Sequence, residues 1–369
     1  MASRAVDVGS DMTTADIFII GTGYYAEVMI GDLASTATGR LRVAIGGRNE
    51  ERLQWLAEAG RARAAIFGRP VTFEIVKVDF TSSSGIAESL DAIRPRVVVH
   101  SASLQSPWKV DRADSQWSCL VAEGGFGLTL ALHSVLPRRT AAAIRQVDSG
   151  ISFVNTCYPD GVNQVLHAAG LPITTGVGNV GIFSAVIAGM LEPEQRASVR
   201  VLAHHQHLVQ WRKIGNERSG APVRAWIGDD EMADVDERTR HIVLPYRDLN
   251  VISGASAVPV LLALAGLGDI RAHVPGPGGL PGGYPVRVVE GQVSLDLPKS
   301  VSRDEAILWN RGFENADGVS ISETGRVSYS EPARKALATY SRTLAEGFDV
   351  VEVEDAATAL GQLRDKLGG

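Results

Sequence analysis

Apolar positions in this chain occur in two kinds of run. Residues 16–20, 41–46, 71–78 and 97–100 are short, nearly continuous and rich in Val and Ile. That is the pattern of parallel strands buried on both faces. Between them, residues 25–37, 50–64 and 83–93 show helical spacing. The alternation predicts an α/β fold, a Rossmann-type doubly wound parallel sheet over residues 16–150. Loop residues at the carboxyl end of such strands, here 101–108, are where ligands bind.

Past residue 150 the pattern changes. Strands are expected at 152–155, 198–208 and 224–227, and helices at 161–169 and 183–191. A hairpin is expected at 286–297 around Glu290-Gly291. A helix over 302–316 has Ser302 as N-cap and Glu305 to complete a capping box. Strands 319–321 and 326–329 pair around Thr324-Gly325. This predicts a second α+β domain, 151–330, with a mixed, largely antiparallel sheet for substrate binding and dimerisation. Residues 331–369 read helix, strand, helix, packing back on the body, and residues 1–15 read as a disordered tail. The stretch 275–285 holds four prolines and five glycines, a composition suited to a lid or a close approach to a ligand.

The 369 residues suffice for two domains. A net charge of -6 with no long basic run argues against nucleic acid as the main partner. Two cysteines, Cys119 and Cys157, make neither a disulfide framework nor a four-cysteine zinc site, so a reducing cytoplasm is the simplest setting. The apolar run 257–267 is too short to span a bilayer and reads as a buried helix.

The chemistry starts at Gly21-Thr22-Gly23-Tyr24-Tyr25-Ala26, a G-x-G-x-x-A turn between strand and helix. Gly21 allows the turn, Gly23 lets backbone approach a pyrophosphate, and Ala26 replaces the third glycine where helix meets strand. The helix start offers N–H groups to the anion. The bland alternative is a glycine turn without ligand. After the second strand comes Gly47-Arg48-Asn49, where an NAD-binding protein usually places Asp or Glu. Arg48, assisted by Asn49, reads as a ligand for the 2′-phosphate of NADP, or else as a solvated arginine. Further cofactor contacts are expected from Asp79 and Phe80 after the third strand, and from Ser101, Ala102, Ser103 and Gln105 after the fourth. Cys157 is another candidate, though it also reads as a small buried residue.

Reduction of C=O or C=N needs a proton as well as a hydride. His204, His205 and His207 fall in one cluster, with Lys213 just beyond. On a strand, His205 and His207 share a face and His204 lies on the other. Tyr158 is a further candidate. No carboxylate or cysteine completes a metal site nearby, so none is expected. Asp160 reads as a helix N-cap, and Asn163 as a residue facing nicotinamide or substrate.

At Gly21–Ala26, Gly47–Asn49, Val78-Asp79 and the 101–106 loop the chain resembles the saccharopine dehydrogenase-like NAD(P) proteins, over roughly residues 1 to 165. Ala203-His-His-Gln-His207 followed by Ser219-Gly-Ala-Pro222 is similar to a segment of dihydrodipicolinate reductases. In that family the histidine donates a proton, a lysine follows shortly after, and a Gly-Thr step binds the substrate carboxylate. Here Leu208 stands near the lysine position, Lys213 is displaced, and no Gly-Thr step follows. The resemblance implies only a histidine beside the nicotinamide.

The expectation is an NADP-dependent reductase, a cytoplasmic homodimer acting on the imine or carbonyl of a small amino-acid-derived metabolite. The alternatives are an aldehyde or hydroxy-acid oxidoreductase on the same scaffold, and a non-catalytic NADP sensor.

Overall fold

The computed structural model describes residues 15–106, 115–147, 150–246 and 248–369. The tail over 1–14 and the last two residues of the 101–108 loop therefore lie outside the described residues. The frame is a six-stranded parallel sheet of β1 (Ile17–Ile20), β2 (Leu41–Gly47), β3 (Val71–Lys77), β4 (Val97–His100), β5 (Ser152–Asn155) and β6 (Thr175–Gly176). Their order is β3-β2-β1-β4-β5-β6, as in a doubly wound dinucleotide fold. The sheet thus runs past residue 150, where the sequence pattern places the end of the first domain.

Strand alternation divides the core. Phe18, Ile20, Val98 and Phe153 point into one apolar layer, and Ile17, Ile19, Val43 and Val99 into the other. Register is fixed at the centre by Ile17 opposite Val43 on one side and Val97 on the other. Helices α1 (Tyr24–Thr36) and α2 (Glu50–Ile66) cover the second layer, and α3 (Ser83–Ile93) covers the first. The helix Asn250–Leu264 lies against α1, where Tyr25 Oη donates to the Ser253 carbonyl at 3.1 Å. The C-terminal helix Val353–Lys366 packs into the first layer through Val353, Ala357, Leu360 and Leu363.

The second half carries three small antiparallel sheets. These are β7 (Val199–Leu202), β8 (Arg224–Ile227) and β9 (Asp230–Glu231); β10 (Ile270–Pro275), β11 (Gly283–Val289) and β12 (Gln292–Leu295); and β13 (Val319–Ile321), β14 (Arg326–Tyr329) and β15 (Phe348–Asp349). Among the described residues, no helix is long and apolar enough to cross a membrane.

Three local expectations need correction. The Pro275–Pro285 segment is no lid: it is the largely buried hairpin connection between antiparallel β10 and β11, with Gly276 and Gly279 pressed against Asn163 and His167. The helix expected at 302–316 breaks into Arg303–Arg311 and Glu314–Asp317. Ser302 caps the first through the Glu305 N–H at 3.2 Å, but the Glu305 carboxylate turns to Arg224 at 3.1 Å, so the capping box is not completed. The long strand expected at 198–208 ends at Leu202, and Gln206–Trp211 is helical.

Candidate active site

A cavity of about 480 Å³ opens at the carboxyl edge of the sheet. Its walls come from the loops after β1, β4, β5 and β6, the edge at which such sheets bind ligands.

Thr22, Gly23, Tyr24 and Tyr25 line the cavity, while Gly21 and Ala26 are buried behind it. Gly21 holds φ at +134°, and a Cβ there would sit 2.3 Å from the Ser101 carbonyl oxygen. This glycine is needed for the close approach of β1 and β4. Gly23 is the opposite case. It is exposed, it starts α1 without a side-chain cap, and a Cβ there would meet nothing within 4 Å. The turn leaves open space where a phosphate approaches a helix start, so the residues fit a dinucleotide.

Ser101, Ala102 and Ser103 line the cavity too, but Gln105 is fully buried away from it, donating to the Ser106 carbonyl. Cys157 lines the wall with its thiol donating to the Ala102 carbonyl at 3.2 Å, and burial pushes the thiol up to about 12. It is held as a neutral thiol. Gly47 packs on the Thr22 methyl, Arg48 is exposed at the end of β2, and Asn49 caps α2 by accepting the Arg52 N–H at 2.9 Å. Asp79 is turned to the Thr81 N–H and hydroxyl, and Phe80 is buried in the core; neither lines the cavity.

The histidines separate cleanly. Their segment bends because Gln206 N–H donates to His204 Nδ1 at 3.2 Å and His204 N–H donates to His207 Nδ1 at 2.9 Å. Such local bonds compete with a strand and turn the chain into helix. Alternation therefore does not apply, and His205 and His207 do not share a face. His204 is buried and stacks on Phe313, with burial pulling it below the usual histidine range. His207 is buried against Trp309 and is pulled down to about 4. His205 alone of the three lines the cavity. Lys213 does not reach it; its ammonium lies 3.3 Å from the Gln210 side-chain oxygen.

His205 Nδ1 lies 2.9 Å from Asp317 Oδ1, and the Tyr158 hydroxyl donates to Asp317 Oδ2. Burial acts to lower His205, but the charge and hydrogen bond of Asp317 outweigh it, so His205 stands above the usual histidine value. Burial acts to raise Asp317, and His205 with the Tyr158 bond outweighs it, so Asp317 stands below the usual carboxylate value. Burial, then the Asp317 charge, drives Tyr158 well above the usual phenol value. The pair thus favours the charged forms of both His205 and Asp317, while Tyr158 is held as a neutral phenol.

Asp160 is no N-cap: Tyr158 holds that position, in the left-handed region at φ +44°. The Asp160 carboxylate accepts the His205 backbone N–H at 3.0 Å and the Asn179 amide. Asn163 is buried, bonded to Asn155 and to the Gly276 carbonyl, and does not line the cavity.

Asp317 and Arg212 were not legible as site residues. Asp317 sits in an Asp-Gly pair that reads as a surface helix end. It is buried because Gly125 and Gly127 lack side chains: a Cβ at either would fall within 2.8 Å of the Asp317 carbonyl oxygen. The one available signal was the glycine run at 124–127, small residues where backbones approach closely. Arg212 lines the cavity with its guanidinium 4.0 Å from the Tyr246 ring centre. Among the described residues that line the cavity there is no carboxylate, and Arg212 brings a guanidinium to its wall.

No protein-family model matches the chain, and no curated protein matches it. The saccharopine dehydrogenase-like resemblance is therefore unsupported by a family match. Similar solved structures include lactate dehydrogenase from Eimeria maxima with NADH and oxamate, at 12% identity and TM-score 0.50, covering 96% of this chain and 97% of that one. A minor L-lactate dehydrogenase from Enterococcus mundtii (15% identity, TM-score 0.45, 80% and 94%) and malate dehydrogenase from Aeropyrum pernix (16%, 0.47, 80% and 96%) are also found. At these identities the Eimeria structure shows a shared fold, and the other two add no argument.

Proposed function

We propose that the chain is an NADP-dependent oxidoreductase that reduces the carbonyl or imine of a small, anionic, amino-acid-derived metabolite. One observation carries this reading. The open Gly23 turn and His205, which Asp317 holds from behind at Nδ1, face the same cavity.

Gly23 and the start of α1 would hold the pyrophosphate, and Arg48 the 2′-phosphate, since no carboxylate stands at residues 46–49. When bound, a nicotinamide supplies the hydride to the carbonyl or imine carbon. Asp317 takes Nδ1 of His205, which leaves Nε2 as the ring nitrogen for a ligand. His205 gives its proton to the substrate oxygen or nitrogen as the double bond's electron pair moves there, and is left neutral. Asp317 stabilises the imidazolium before transfer and fixes the ring. Arg212, braced on Tyr246, holds the substrate anion by charge-assisted hydrogen bonds.

The test is NADPH oxidation with 2-oxo acids, alone and with ammonia to form imines, beside NADPH titration by fluorescence. Turnover with any of these supports an enzyme. Tight NADPH binding without turnover supports the sensor reading instead, and failure to bind NADPH or NADH removes both.

A further inference from the structure

Two buried histidines are treated differently by the fold. His100 is fully buried and both its ring nitrogens are bonded, Nε2 to the Ala102 carbonyl at 2.7 Å and Nδ1 to Thr140 Oγ1 at 2.9 Å. That is how a structural histidine is satisfied. His133, on the helix Leu130–Val147, is 2% exposed and lines the cavity, yet neither ring nitrogen has a hydrogen-bond partner among the described residues. A buried polar group without a partner is costly, so an orphaned one in a cavity wall points to a ligand that completes it.

Its surroundings define that ligand. The His133 ring is 5.4 Å from Phe126 and 6.2 Å from Tyr158, and Phe126 in turn lies 4.9 Å from both Tyr158 and His205. His133 thus belongs to the part of the cavity wall where His205 stands. Burial, then the charge of His205, lowers His133 to about 3, so it is a neutral imidazole with one donor and one acceptor. A cationic substituent would face the charged His205. An anionic one has its counter-charge at Arg212.

Resting on the oxidoreductase reading above, we infer that His133 is a specificity-determining residue that hydrogen-bonds a neutral polar substituent, a hydroxyl or amide, carried by the substrate beside the carbon that is reduced. A site built to bond such a group discriminates against substrates lacking it, because the site's own polar atoms then stay unpaired.

Pyruvate and hydroxypyruvate, which differ by one hydroxyl, are the probes. Binding is measured as melting-temperature rise and by titration in the presence of NADPH, and turnover as NADPH oxidation, for the full-length protein, His133→Phe and His133→Gln. The unaltered protein is expected to bind hydroxypyruvate about tenfold or more tighter than pyruvate. His133→Phe is expected to erase that preference, with NADPH and pyruvate affinity unchanged and the ligand-free protein melting no lower. His133→Gln, which keeps a donor and an acceptor, is expected to retain part of it. If the Phe variant does not fold, His133→Leu takes its place. An unaltered protein without the preference, or a Phe or Leu variant that keeps it, overturns the inference. His133-dependent binding without turnover leaves the inference standing and removes the reductase reading. Normal turnover blind to His133 does the reverse.

Discussion

His205 Nδ1 and Asp317 Oδ1 lie 2.9 Å apart although 112 positions separate them in the chain. One comes from the turn after β7 and the other from the end of the short helix Glu314–Asp317. The acid of the site therefore exists only once the second half of the molecule has folded onto the glycine run at 124–127.

Asp317→Asn should break the charge of this pair while keeping its shape. Reduction needs protonated His205, so activity should fall as pH rises through the histidine's value. Without the carboxylate that value drops, and the falling limb of kcat/KM should move to lower pH, with kcat down about 10²–10⁴-fold near neutrality. A pH–rate profile that keeps its limb in place would show that His205 is not the group titrating.

The same pair sets a stability window. His205 stands above its unfolded value, so its contribution is full below that unfolded value and is lost as pH rises through the folded one. Asp317 stands below its unfolded value, so its contribution is present above that value and is lost as pH falls through the folded one. Melting temperature should be highest between the two unfolded values and decline outward toward the folded ones, and Asp317→Asn should flatten the curve. An unchanged curve in that variant counts against the pairing.

Much of the first half was readable from sequence because its signals are local. β1 and the Gly21–Ala26 turn follow from adjacent residues, and the turn glycines behave as their types demand. The histidine cluster was found, but its geometry was misread. Period-two alternation was extended through His204–His207, whereas side-chain bonds from His204 and His207 to nearby N–H groups stop the strand. Asp317 and Arg212 were missed for another reason. Each has ordinary surface character in its own neighbourhood, and only long-range packing places Arg212 at the cavity and Asp317 behind His205.

The histidines can be told apart by mutation. His205→Gln should lower turnover about 10²–10⁴-fold with NADPH binding intact. His204→Gln and His207→Gln should act chiefly on melting temperature, since those rings are buried against Phe313 and Trp309. Full turnover in His205→Gln on an established substrate would remove His205 as the donor.

The two turn glycines should respond in opposite ways. Gly21→Ala should destabilise the fold by about 1–3 kcal/mol or more, because the new methyl meets a carbonyl oxygen and φ is positive. Gly23→Val should fold normally and lose NADPH binding, because its side chain fills only the space a pyrophosphate needs. Chemical denaturation and NADPH titration separate these effects. Normal NADPH affinity in Gly23→Val would mean that the turn holds no cofactor.

Cofactor choice rests on Arg48. It is exposed at the end of β2, and its neighbour Asn49 is committed to capping α2. Arg48→Ala should weaken NADPH by about one to two orders of magnitude and leave NADH nearly unchanged. Equal affinity for the two cofactors in the unaltered protein would argue for a solvated arginine and against NADP preference.

Arg212 should govern substrate charge. Its guanidinium stacks on Tyr246 at 4.0 Å, which fixes the plane of the fork that would meet a carboxylate. Arg212→Gln removes the charge, and should raise KM for an anionic 2-oxo acid about 10–100-fold with a smaller change in kcat. Arg212→Lys keeps the charge but loses the planar stack and the two-pronged geometry, so it should recover only part of the loss. Tyr246→Leu should show a milder form of the same defect, since it frees the guanidinium without removing it. The control is a neutral 2-oxo ester, whose KM should be indifferent to all three changes. If ester and acid respond alike, Arg212 is shaping the cavity wall rather than holding an anion, and the substrate's negative charge must be dropped from the proposed function.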